Sequence, residues 1–302
     1  GEGGGGEGGG CEGGGVATVR VLPNLSPAKR ATVRVVVLRR DSGVVLTAGS
    51  GCLVSRDGHV LTAAHLFVSA RSGALFHGFA PSEVLVAVGV YVDDAAPSRW
   101  AYWAELQTPL ERLVERDERR RLLDLAVIRL RGELTMTPES FVGVAARYAI
   151  ASEATEALPP FRSALRLGTP SAVTSGSALL VLGWPSPHGQ TSIFVDSTHE
   201  CLSREGQLLH TRAFIHAGSS GGPALTPSLH VVGVVSHNPR SSDDTIRPPE
   251  AGGEVHYLAC IRSTERIGLI APAATDLISC RRAPAVLPPP PPPAVPSLPK
   301  LA

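Results

Sequence analysis

A serine, a histidine and a carboxylate, the three groups that together can break an acyl bond, each occupy a pointed place in this chain. Ser220 stands in Ile215-His216-Ala217-Gly218-Ser219-Ser220-Gly221-Gly222-Pro223, a glycine-rich turn between the apolar runs Ala213-Phe214-Ile215 and Ala224-Leu225. Glycines let a backbone approach a substrate carbonyl and take positive φ, and convergent N–H groups in such a turn can hold an oxyanion. A serine hydroxyl is a weak nucleophile until a base takes its proton and a third group orients that base. His65 ends the run Thr62-Ala63-Ala64-His65, where a strand-like stretch gives way to small residues. Asp124 opens the apolar run Asp124-Leu125-Ala126-Val127-Ile128-Arg129-Leu130. A carboxylate at the mouth of a buried strand requires a partner, because burying it unpaired is very costly. Taken singly, His65 also reads as an ordinary strand-end residue.

The elements that must position these groups are short strands. Residues 31–38, 44–47, 50–54 and 59–62 are β-branched or apolar runs separated by turns such as Asp57-Gly58, the pattern of an antiparallel sandwich or barrel. Further strands are expected at 83–92 and around 99–103. Residues 109–123 are dense in charge and read as a short exposed helix, a solvated surface insertion. Residues 131–175 read as a linker between two halves with one or two weak strands. The second half resumes with strands at 177–185, 191–195, 208–214, 229–236 and 255–261, then a helix over 264–280 limited by Pro272. The expected organisation is a Gly-rich tail over 1–15, a first unit over 16–150, a second over 151–282 and a Pro-rich tail over 283–302. The Gly-rich tail cannot bury enough apolar surface to order itself. The Pro-rich one holds six consecutive prolines at 288–293 and reads as an extended spacer, with a ligand for an SH3- or WW-type module as its other reading.

Composition narrows the function. The 302 residues are 43% hydrophobic and 18% charged with a formal net charge of +1, which argues against nucleic acid or an anionic membrane as the main partner. No apolar run approaches the roughly 20 residues that cross a bilayer. Cys11, Cys52, Cys201, Cys260 and Cys280 are odd in number and irregular in spacing, which points to buried thiols in an intracellular reducing compartment. The 10 histidines lack the paired spacing of a zinc site, so neither metal nor cofactor is expected.

His65, Asp124 and Ser220 stand in the chain order of the chymotrypsin-like arrangement; α/β-hydrolases and subtilisins use other orders. On these motifs the chain resembles the trypsin-like serine proteases over roughly residues 31 to 270. The resemblance implies an all-β fold of two six-stranded antiparallel β-barrels with the active site between them. It implies that His65 takes the proton of Ser220 while Asp124 fixes the imidazole tautomer, with the N–H groups of Gly218 and Ser220 as the oxyanion hole. Asp93 and Asp94 are the other candidates for the acid and Ser219 for the nucleophile, although the Gly-x-Ser-Gly-Gly register favours Ser220. Departures from digestive trypsins are informative. Ser219 replaces the aspartate that receives a freed N-terminus, Leu66 replaces a half-cystine, and Phe214 stands where a pocket aspartate selects Lys or Arg. A small or apolar residue at the cleaved position is therefore implied.

The Ala64-His65-Leu66 motif, the Asp124-Leu125-Ala126-Val127 strand and the uncharged Ser219 resemble the Deg/HtrA group. The residues after Ser220 are expected to complete the second barrel without a PDZ domain. One branch is more similar: the peroxisomal, or glyoxysomal, leader-peptide processing proteases, through His216 and the segment GVVSHNPR at 233–240. By that resemblance Phe214, His216, Ser236, His237 and Asn238 line the substrate cleft, where the substrate adds as a strand. The implied activity is serine endopeptidase action on polypeptides in the peroxisome, and a homo-oligomer is compatible with it. A Deg-like quality-control protease and an inactive protease-fold binding protein are the alternatives. The last residues, Pro299-Lys300-Leu301-Ala302, differ from the Ser-Lys-Leu signal typical of the branch.

Overall fold

The valine-rich run after residue 31 can hardly be anything but a strand, because β-branched side chains are stiff at χ1 and fit a pleated surface. In the computed structural model, which describes residues 24–69, 72–93, 99–116, 123–142, 145–185, 193–212, 218–237 and 258–264, that run is β1 (Thr32–Arg39). It is entered from a short helix, α1 (Ser26–Ala31), whose first turn holds Pro27. Successive strand residues face opposite ways. Val33, Val35 and Val37 join one core cluster while Val36 and Leu38 join another, so β1 is buried on both faces.

Six further strands complete the first half: β2 (Val45–Leu53), β3 (His59–Thr62), β4 (Val84–Val90), β5 (Arg99–Leu106), β6 (Ala126–Val142) and β7 (Ala145–Glu153). They form an antiparallel seven-stranded sheet in the order β3-β2-β1-β4-β5-β6-β7, with an additional β3–β6 pairing. Three expectations need correction. The runs expected at 44–47 and 50–54 are one strand, Val45–Leu53, because Gly49 does not interrupt it, and the expected linker with its one or two weak strands holds, up to Glu153, the long β6–β7 hairpin. Its Ala, Ser and Pro content weakens the strand signal, and its core contacts come from Leu134, Met136 and Tyr148. The charged stretch after Pro109 is helical only over α2 (Leu110–Leu113) among its described residues.

The second half is a closed barrel of β8 (Ala178–Gly183), β9 (Phe194–Glu205), β10 (Leu208–Arg212), β11 (Pro223–Leu225), β12 (Val231–His237) and β13 (Leu258–Ser263). Here β9 extends well past the run expected at 191–195, because Cys201 and its neighbours pair with β10. Alternation again divides the side chains. Leu179, Val181, Val232 and Val235 fill one cluster, whereas Leu180, Leu182, Val231 and Val234 join the cluster that also holds Val33, Val35 and Leu61 of the first sheet. The two halves thus share a core, and the edge of that shared core is where the candidate residues meet. The Gly-rich and Pro-rich tails and the expected C-terminal helix beyond Thr264 lie outside the described residues. None of the described helices is long and apolar enough to cross a membrane.

Candidate active site

Strand register brings the histidine and the acid together. β3 pairs antiparallel with β6 so that Thr62 faces Ala126, which leaves the end of β3 beside the start of β6. His65 sits three residues past that pair on a single 3-10 turn, Ala64–Leu66, and Asp124 sits two residues before it. Both carboxylate oxygens of Asp124 lie 2.9–3.0 Å from His65 Nδ1, and the backbone N–H of His65 donates to the same carboxylate at 2.9 Å. Nδ1–H therefore donates to Asp124, which leaves the Nε2 lone pair to act as a base. The acid is 5% exposed and has φ +50°, a strained conformation for a residue with a Cβ and a common mark of functional sites. Asp93 is exposed on the surface, and Asp94 lies outside the described residues.

Burial opposes ionisation of both partners, and their mutual attraction overrides it. For His65, desolvation lowers the pKa, but the Asp124 charge and hydrogen bond raise it above the usual imidazole value. For Asp124, desolvation raises the pKa. The His65 charge and the hydrogen bonds from His65 and Ser236 hold it below the usual carboxylate value. A second histidine braces the turn: His77, at φ +58°, donates through Nε2 to the Leu66 carbonyl at 3.1 Å.

The serine turn is tied down by β12. Gly221 N–H donates to the Val235 carbonyl and Val235 N–H to the Gly222 carbonyl, which continues the β11–β12 pairing up to the turn. Of the two serines, Ser219 is 1% exposed, its hydroxyl turned inward against Gly183, while Ser220 is partly open. Ser220 Oγ donates to the Ser236 carbonyl at 3.3 Å. Proton transfer to His65 requires that bond to be exchanged for one to the imidazole. Ser236, expected to line the cleft, is 1% exposed, and its hydroxyl donates to Asp124 Oδ2. Nothing in the sequence distinguishes that role from a cleft-lining one. The N–H groups of Gly218, at φ +91°, and Ser220 donate to none of the described residues. Phe214, His216 and Asn238 lie outside the described residues, and of His237 only the backbone is described. Among the described residues, no group of three or more His, Cys, Asp and Glu side chains is placed to hold a metal ion.

Gly221 cannot carry a side chain. Its φ is +85°, and a Cβ would lie 2.2 Å from the Ser50 carbonyl oxygen and 2.3 Å from Thr62 Oγ1. Gly221→Ala is expected to destabilise the fold by more than about 1 kcal/mol, lowering the thermal midpoint by several degrees at roughly 2–4 °C per kcal/mol. Circular dichroism melting checks this, and an unchanged midpoint would show that the turn tolerates the strain.

A carboxylate–imidazole pair beside a partly open serine, between a sheet and a barrel, is an arrangement suited to acyl transfer. A family model, the trypsin-like peptidase domain, matches residues 49–234, a span that holds all three groups. With more than half of its length inside that match, the chain belongs to the trypsin-like peptidase family.

Proposed function

We propose that the chain is a serine endopeptidase in which Ser220 is the nucleophile, His65 the base and Asp124 the orienting acid. The observation that carries this reading is the buried Asp124 with both oxygens on His65 Nδ1, joined through Ser236 to the turn that presents Ser220. Ser220 Oγ bonds to the substrate carbonyl carbon as its proton passes to His65 Nε2. The carbonyl electrons move onto oxygen, which the Gly218 and Ser220 N–H groups receive. Collapse expels the amine with the proton from His65, and water repeats the cycle to release the acid. The ring of pairings from β3 through β2, β1, β4, β5 and β6 back to β3 is read as closing a first barrel, with β7 as an appendage.

The narrower reading is removal of leader peptides from peroxisomal proteins. It rests on His216 and the segment at 233–240. The substrate would pair as a strand along the end of β12, and Phe214 would disfavour Lys or Arg at the cleaved position. A fluorophosphonate probe tests the chemistry: the adduct is expected on Ser220 by peptide mass mapping, and an adduct elsewhere or none overturns it. Incubation with a peroxisomal precursor bearing its N-terminal presequence, beside unfolded casein, tests the substrate class. A single cut in the precursor with casein left intact supports processing, and general digestion of casein supports a Deg-like quality-control role.

A further inference from the structure

Where β2 leaves its partner, one serine takes over the nucleophile turn. β2 pairs with β3 only from Gly51 onward, so the main-chain groups of Ser50 on that edge are free of the ladder. They are taken up by the site. Ser50 N–H donates to the Ser220 carbonyl at 2.7 Å, and the Ser50 carbonyl accepts from Thr62 Oγ1 at 2.6 Å. The Ser50 hydroxyl donates to the Gly218 carbonyl at 2.8 Å and accepts from Trp184 N–H at 2.7 Å. Trp184 follows β8, and its indole N–H reaches the Thr32 carbonyl at 3.1 Å. One residue of the sheet, itself 0% exposed, therefore holds two carbonyls of the turn and one amide beyond β8.

The peptide units involved are the ones that matter. The unit carrying Ser220 N–H is held through its own carbonyl, that of Ser219, by Gly222 N–H at 2.9 Å. The units on either side end in the Gly218 and Ser220 carbonyls, and Ser50 binds both. Gly218 is the member of the turn freest to rotate, because glycine has no Cβ to restrain it. Turning its carbonyl would shift the two N–H groups that must face the same oxygen.

We infer that Ser50 is a positioning residue for the oxyanion hole, clamping the peptide units on both sides of the Ser220 amide so that the Gly218 and Ser220 N–H groups converge. The inference deepens the serine endopeptidase reading and rests on it. A misplacement of about 1 Å at a reacting centre costs up to roughly 10²-fold in rate. Ser50→Ala is expected to slow fluorophosphonate labelling of Ser220 by about 10- to 100-fold and to lower kcat on fluorogenic casein by a like factor with KM nearly unchanged. Trp103→Phe is the stability comparator, since it removes a side-chain bond from β5 to the carbonyl of Ala154, just past β7, and none of the bonds that hold the turn. It is expected to lower the melting midpoint without slowing the labelling of folded protein. Ser50→Cys keeps a side-chain donor, weaker and somewhat bulkier than the hydroxyl, and tests the clamp even where the alanine variant does not fold. Labelling of either folded Ser50 variant within twofold of Trp103→Phe overturns the clamp while leaving the protease reading intact. Absence of labelling in the wild type overturns both.

Discussion

Ser220→Ala is expected to lower kcat on casein by about 10⁴- to 10⁶-fold while KM stays within a few-fold, since triad members act as a unit and removal of the nucleophile disables all of them. The residual rate is whatever the oxyanion amides and substrate binding supply. Folding should be untouched. Among the described residues the hydroxyl makes one long hydrogen bond, to the Ser236 carbonyl, and the residue is partly exposed, so its loss leaves no described buried donor or acceptor stranded. Steady-state kinetics with a melting curve on the same sample checks both halves. A variant retaining a tenth of wild-type turnover would remove Ser220 from the mechanism and return attention to Ser219, whose hydroxyl is sealed against Gly183 in this conformation.

The second large effect concerns Asp124→Asn. The backbone should accept the change, because asparagine is among the few residues that enter the left-handed region readily and the native φ is +50°. The electrostatics should not. In the Ser-His-Asp template, neutralising this acid costs about 10⁴ in kcat, because the imidazole is left in the wrong tautomer and its cation is no longer stabilised. The pH profile gives an independent readout. His65 must be neutral to accept the Ser220 proton, so kcat/KM rises with pH through the His65 pKa. In the wild type that pKa is raised: burial pulls it down, and the charge and hydrogen bond of Asp124 more than offset this. In the asparagine variant the upward push is gone and the burial remains, so the inflexion is expected to move to lower pH. A profile of unchanged shape in the variant would mean that some other group governs the titration, and Asp124 would lose its role.

The candidate residues were legible to different depths. Ser220, His65 and Asp124 could be picked out because each breaks a local pattern: a hydroxyl among glycines, an imidazole after small residues, a charge before an apolar strand. Ser50 carried a weaker signal. Gly49-Ser50-Gly51 places small residues inside a strand, a mark of close backbone approach, but does not say which backbone approaches. Ser236 carried none, since a serine between Val235 and His237 reads equally well as lining a cleft or as holding a buried carboxylate. Of the β6–β7 hairpin only one or two weak strands were legible, because Ala, Ser and Pro have little strand preference of their own. Its pairing is decided by β5 on one side of β6 and by the cluster around Tyr148.

The sequence by itself determined the chemistry available and the class of fold. Period-two burial and β-branched runs are local properties, and the three reactive residue types are written at strand ends where a rigid scaffold can present them. Only the tertiary structure decided which groups meet. The Thr62–Ala126 register places His65 on Asp124 across 59 positions of chain, and the joining of β12 to the serine turn carries Ser236 to the same carboxylate from 112 positions away. Ser50 reaches Gly218 across 168 positions. Such contacts depend on strand register and on how two halves share a core. Both are set by the sum of many weak packing terms spread over the whole chain, and no short motif contains that sum.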